Sequence, residues 1–175
     1  MEIITKSPEE TFDLGKKIGT DLKSNPYIQG AEWIPLGWHR KEDRALVMTL
    51  TGDLGTGKTT FLQGLAEGIG IKQGIISPTY ILMRKYNIVL DSHPNYDVRS
   101  GKPLLKYFYH MDLYRLEGDV NQQLLELGYE EFVNDPENLI AVEWAEKASG
   151  VYPDDLLWLK FEDVGDDQRK IIFRR

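Results

Sequence analysis

The chain has 175 residues, 41% apolar and 28% charged, with a formal charge of −7 and a pI near 5.0. This length supports one domain with a real core, expected to span 1–175, and the acidic balance argues against wrapping nucleic acid directly, because phosphate contacts need Lys and Arg. The lack of cysteine excludes disulfides and thiolate metal sites, and with no apolar signal core in Met1–Ser7 and no spanning segment we expect a cytoplasmic protein away from membranes.

Ser7-Pro8-Glu9-Glu10 opens a helix: Ser7 can cap, Pro8 suits the first position, and Glu10 completes a capping box. Leu14, Ile18 and Leu22 repeat on one face, and Asn25-Pro26 stop it. Residues 26–43 mix Pro, Gly, Trp and charge without a period, and read as a long loop with a short hairpin, packed down by Trp33 and Trp38.

Ala45 to Thr51 reads as a buried strand and Thr60 to Ile69 as a helix. Between them, Gly52-Asp53-Leu54-Gly55-Thr56-Gly57-Lys58-Thr59 matches G-x-x-x-x-G-K-[ST] in full. A chance match in such a chain is on the order of 1%. Strand, glycine loop and helix together wrap backbone N–H groups around a phosphate and aim a helix N-terminus at it. Lys58 is expected to reach the β/γ-phosphates and the Thr59 hydroxyl to ligate Mg²⁺.

Beyond Gly70–Gly74, Ser77-Pro78-Thr79 precedes a strand predicted from Tyr80 to Tyr86. Small hydroxyls there suit a loop that senses a γ-phosphate, although a plain turn explains the same residues. Residues 90–103 are turn-rich and look like an insertion. Lys106 to Met111 is a strand ending at Asp112, Asp119 to Leu127 a short helix stopped near Gly128, and Glu130 to Val133 a further turn. Leu139 to Val142 is a buried strand ending at Glu143; Leu156–Phe161 and Lys170–Phe173 form a hairpin turning at Gly165-Asp166-Asp167.

Strands outnumber helices after residue 79, so the fold class is α/β, P-loop NTPase-like and three-layered, with a mixed parallel and antiparallel central sheet. Asp112 and Glu143 end strands, where acids of open α/β sheets meet the ligand. Arg115 is a candidate for the γ-phosphate or for a structural ion pair. His39, His93 and His110 are too scattered for a zinc site.

The ordered set Gly52–Thr60, Ser77-Pro78-Thr79-Tyr80, His110-Met111-Asp112-Leu113-Tyr114-Arg115 and Val142-Glu143-Trp144 resembles the TsaE family, small bacterial ATPases of tRNA threonylcarbamoyladenosine biosynthesis, from about Ser7 to Arg169. The resemblance implies ATP binding and slow hydrolysis with Mg²⁺, in complex with TsaB and TsaD, the pair that modifies adenosine 37 of tRNAs reading ANN codons. It implies an ATPase that resets the complex, with tRNA met only through the partners. Carried over residue by residue, Asp53, Leu54, Gly55, Thr56, Gly57, Lys58, Thr59 and Thr60 hold the nucleotide, and Thr59 and Glu143 hold the metal. Lys58 and Asp112 carry the chemistry, Asp112 ordering the water beside the γ-phosphate. Ser77, Pro78 and Thr79 match the switch, while Thr11 and Arg169 match positions flanking the base. The stretches 26–43 and 87–105 exceed the expected family lengths without interrupting a motif.

Three other readings compete. A P-loop kinase needs an arginine-bearing lid, and 87–105 carries only Arg99. A GTPase needs an Asn-Lys-x-Asp element, which the chain lacks. A non-catalytic nucleotide-gated scaffold is the stronger rival, because low turnover is expected wherever a partner must supply transition-state charge.

Overall fold

A computed structural model describes residues 1–27, 31–89 and 104–174. β1 (Glu2–Thr5) leads into α1 (Pro8–Ser24), and β2 (Leu46–Thr51) passes through the glycine loop into α2 (Lys58–Gly68). Next come β3 (Met83–Asn87), β4 (Tyr107–Asp112), α3 (Val120–Glu126), α4 (Tyr129–Val133) and β5 (Asn138–Glu143). The hairpin β6 (Leu157–Gly165) and β7 (Gln168–Arg174) closes the chain.

These strands form one seven-stranded sheet in the order β1-β7-β6-β2-β5-β4-β3. The inner block is parallel, with β2 between β5 and β6 and with β4 on β5. Its flanks are antiparallel: β3 on β4, and β1-β7-β6 on the other side. The mixed sheet expected from the strand count is therefore present, with the parallel part around the glycine loop. All six residues of β2 are buried, because helices cover both faces. Leu46, Met48, Leu50, Leu139 and Ala141 face α1 and α2, whereas Val47, Ile140 and Val142 face α3 and α4. Alternation along each strand thus builds two cores and three layers.

The start of α1 follows the capping logic. Ser7 Oγ accepts the Glu10 N–H at 3.2 Å, and the Glu10 carboxylate accepts the Lys6 N–H at 2.7 Å. Such a cap contributes about 1 kcal/mol. α1 then packs on α2 backbone to backbone. A Cβ on Gly64 would sit 1.9 Å from the Phe12 carbonyl oxygen, and one on Gly15 2.1 Å from that of Phe61. Only glycine allows that approach, which fixes α2, and hence the loop that feeds it, against the sheet.

Some expectations need correction. β1 was not foreseen; it is a four-residue edge strand that exists because β7 offers it a ladder. The strand expected from Tyr80 starts at Met83. The N–H groups of Ile81 and Leu82 turn back onto the Pro78 carbonyl, and Leu82 has φ +66°, which no strand accommodates. α2 begins at Lys58, two residues before the predicted start. Residues 31–43 contain turns and no strand in place of the expected hairpin. Trp33 and Trp38 do pack inward, donating their indole N–H groups to Asp21 Oδ2 and the Asp155 carbonyl. Most of the 87–105 insertion, with Arg99, lies outside the described residues. No helix among the described residues is long and apolar enough to cross a membrane.

Candidate active site

Because β2, β4 and β5 run parallel, the glycine loop after Thr51, Asp112 and Glu143 all emerge at one edge of the sheet. Asp112 and Glu143 are direct register partners. Ser77 and Thr79 reach the same place from the loop before β3. Together these residues line a groove of about 300 Å³ with Trp144 and Tyr114 on its wall. A larger groove of about 440 Å³ lies between the far ends of α1 and α2, but none of its lining residues comes from the glycine loop or from a strand-end acid. The sequence-predicted site residues therefore gather in the smaller of these two.

The loop has the backbone that an anion cradle needs. Gly52, Gly55 and Gly57 have φ of +129°, +80° and +94°, conformations costly for any residue with a Cβ. At Gly52 the space is closed as well, since a Cβ would lie 2.2 Å from the Phe161 carbonyl oxygen. Gly57 is the N-cap of α2 and offers no capping side chain, so the first N–H groups of α2 are left for a ligand. Leu54 stands 76% exposed at the loop tip.

Lys58 lies buried at the start of α2, and burial lowers its pKa. Its ammonium donates to the carbonyls of Gly52 (2.6 Å) and Asp53 (2.8 Å) and sits 4.4 Å above the Trp144 ring. Trp144 itself has φ +58° and leans on Tyr114 with ring centres 4.9 Å apart. A bulky residue in that conformation costs about 1–3 kcal/mol. It turns the chain sharply after Glu143 and lays the indole under the lysine.

The two carboxylates have different surroundings. Glu143 accepts from the Thr59 hydroxyl at 2.9 Å (Oε2) and 3.1 Å (Oε1), and its Oε1 lies 2.8 Å from His110 Nε2. Asp112 Oδ2 accepts from Ser77 Oγ at 2.6 Å and from Thr79 Oγ1, and its Oδ1 accepts the Tyr114 N–H at 2.9 Å. Thr59 with Glu143 is a pair of hard oxygen donors, the kind that suits Mg²⁺, which takes one or two protein oxygens and completes its shell with phosphate and water. No group of three acids or histidines gathers around a common point among the described residues, so a cation there would rely on ligand oxygens.

A family model described as Threonylcarbamoyl adenosine biosynthesis protein TsaE matches residues 5–171. The chain belongs to the TsaE family. It therefore belongs with the proteins of tRNA threonylcarbamoyladenosine biosynthesis. The TsaE of Bacillus subtilis is 37% identical over 127 residues, covering 73% of this chain and 68% of the relative. That of Haemophilus influenzae is 35% identical over 129 residues, 74% and 70% of the two chains. The Aquifex aeolicus relative is 30% identical over 177 residues and spans 99% of this chain and 96% of its own. A crystal structure of Bacillus subtilis YdiB superposes with a TM-score of 0.63 at 28% identity, over 99% of this chain and 83% of that one.

Within this TsaE fold the remaining sequence candidates are placed as follows. Asp53, Thr56 and Thr60 belong to the loop and the first turn of α2; Thr56 Oγ1 donates to the Asp53 carbonyl at 2.8 Å and so closes the loop on itself. Thr11 and Arg169 both flank Gly55–Gly57. The Thr11 hydroxyl is taken up by Thr5 Oγ1 (2.7 Å) and the Ser7 carbonyl (3.1 Å), leaving its methyl toward Gly57. Arg169 donates to the Gly55 carbonyl at 3.4 Å and pairs with Asp163 at 3.2 Å. Arg115 makes no ion pair among the described residues and stacks on Tyr80 at 4.3 Å. Two residues escaped sequence reasoning. Trp144 was visible only as part of a motif, and His110 only as part of a motif and as one scattered histidine, neither with a role of its own.

Proposed function

We propose that this TsaE family member is a Mg²⁺-dependent ATPase, slow when alone, that works in the cytoplasm with TsaB and TsaD and meets tRNA only through that complex. The observation that carries the reading is the convergence, in one groove, of an anion-cradling loop, a buried lysine, a hydroxyl–carboxylate pair and a second carboxylate bonded to the 77–79 loop. Free N–H groups of the loop and of α2 bind the phosphates. Lys58 exchanges its two loop carbonyls for phosphate oxygens, a move favoured by its charge being costly where it lies. Thr59 and Glu143 hold Mg²⁺, which when bound neutralises charge developing on the phosphates. Asp112 orients the attacking water, and the Ser77–Thr79 hydroxyls move with the γ-phosphate to place it. Thr11 and Arg169 border the base from α1 and β7.

The domain reading stays as the sequence suggested, one ATPase domain over 1–175. Both helix layers rest on a single sheet, which supports it. The deciding experiment is Mg²⁺-dependent ATP hydrolysis by the chain alone and with a matched TsaB–TsaD pair. Weak turnover alone that changes clearly with the pair is expected. Turnover indifferent to the pair would favour a small-molecule kinase, and ATP binding without turnover in either state would favour a nucleotide-gated scaffold.

A further inference from the structure

His110 has no part in the chemistry described so far, yet its surroundings are unusual. It lies in β4, where register places it beside Ala141 and two residues before Asp112, with its side chain on the α2 face of the sheet. It is completely buried, and its ring stacks on Phe108 with centres 6.2 Å apart. Its Nε2 lies 2.8 Å from Glu143 Oε1, and its Nδ1 is buried without a hydrogen-bond partner.

Those facts fix the proton. Glu143 Oε1 is an acceptor, so Nε2 must carry the hydrogen for the contact to be a bond. Placing it on Nδ1 would bury an unsatisfied donor and set the bare Nε2 lone pair against a carboxylate oxygen. Glu143 is in turn held from two sides, His110 on Oε1 and Thr59 on both oxygens. A carboxylate on a strand end has a free side-chain torsion near its tip; a rigid donor inside the core removes it.

We infer that His110 is a positioning residue: through Nε2–H it locks the Glu143 carboxylate so that Oε2 faces Thr59 and the cation, and thereby sets the affinity for a divalent metal bound with nucleotide. This rests on the assignment of Thr59 and Glu143 as metal-holding residues. His110 is fully buried and does not line the groove. Its effect passes wholly through Glu143.

The test uses Mn²⁺ as a paramagnetic probe, titrated into the full chain with a non-hydrolysable ATP analogue and read by electron paramagnetic resonance. Gln can place its amide nitrogen where Nε2 stands, whereas Asn cannot reach it and Phe keeps volume without a donor. H110N and H110F are expected to weaken Mn²⁺ about 10-fold or more, as for other groups that orient a metal ligand. H110Q is expected to stay within about 3-fold of wild type, and analogue binding in EDTA to be nearly unchanged in all three. In an E143Q background, H110N should have no further effect, because the group it acts through is already altered. Wild-type Mn²⁺ affinity in folded H110N, or equal losses in H110Q and H110F, would overturn the inference. Should the variants not fold, ¹⁵N-histidine NMR of the unaltered protein still decides. The expected spectrum shows Nε2 protonated and Nδ1 bare; the reverse would overturn the inference. If wild type gives no Mn²⁺–nucleotide signal, the metal assignment falls and this inference with it, whereas a wild-type signal unmoved by H110N removes only the role of His110.

Discussion

Asp112 and Glu143 are paired residues at the ends of neighbouring strands, yet the molecule holds them by opposite means. Glu143 is braced from within, by a fully buried histidine and by a hydroxyl on the first turn of α2, itself seated on α1 through glycines. Asp112 is braced from outside, by two hydroxyls on a loop whose next residues, Tyr80 and Ile81, are 84% and 55% exposed. Both carboxylates are buried, but one is held by the core and the other by hydroxyls of a surface loop. The difference suits two jobs. A metal ligand must keep its geometry through a reaction, whereas a group that meets water beside a γ-phosphate has to respond to whether that phosphate is there.

The broadest way to test this contrast is to remove what both carboxylates depend on. Lys58→Ala is expected to lower ATP affinity by more than about 100-fold in equilibrium binding, since the lysine is the cation of the cradle; retained affinity would show that ATP is not held by this cradle. Asp112→Ala should cut hydrolysis by roughly 10²-fold or more with ATP affinity nearly intact, as for loss of a water-orienting group. Hydrolysis at the wild-type rate would break the assignment. Glu143→Gln should instead raise the Mg²⁺ concentration needed for half-maximal hydrolysis by about 10-fold, with metal-free nucleotide binding unchanged. The two carboxylate variants should therefore fail in different assays, and identical phenotypes would refute the contrast. Removing the outside brace with Ser77→Ala and Thr79→Val together is expected to lower kcat by roughly 5–10-fold, the worth of about 1 kcal/mol of hydrogen bonding, with KM unchanged.

A half-buried surface carboxylate supplies the smallest effect. Hydrogen bonds from Lys160 and then Lys170 hold the Glu162 carboxyl at about 2, below its usual 4.5. Because the folded-state value is the lower one, this contribution is complete above the unfolded value near 4.5 and is lost as the pH falls from there toward 2. Glu162→Gln should thus flatten the fall of the unfolding midpoint between about pH 5 and pH 3 by a small amount that high salt erases, as surface pairs do. A slope equal to wild type would show that the trio adds nothing to stability.

Much of the fold was legible because its signals are local. The glycine loop carries its own chemistry, and the run Leu139–Val142 declared a buried strand with an acid at its tip. Asp166 and Asp167, at φ +49° and +59°, make the turn that the Gly165-Asp166-Asp167 cluster announced. Other features were illegible because their causes are distant. β1 has too few residues to show a period and becomes a strand only where β7 stands ready. Leu82 looks like a strand residue until Pro78 captures its N–H at 2.7 Å. The Thr11 hydroxyl is engaged by Thr5 and the Ser7 carbonyl, a pairing no local pattern announces.

The sequence by itself determined that a strand, a glycine loop and a helix would form an anion cradle with Lys58 and Thr59 at its exit, because backbone conformation and residue type suffice for that. It also placed Asp112 and Glu143 at strand ends. Only the tertiary structure decided that these ends would be register neighbours, that a histidine 33 residues before Glu143 would stand against it, and that Trp144 would lie under the lysine. Such contacts arise from parallel pairing between strands far apart in the chain. Their geometry is set by the packed sheet and is written in no single segment.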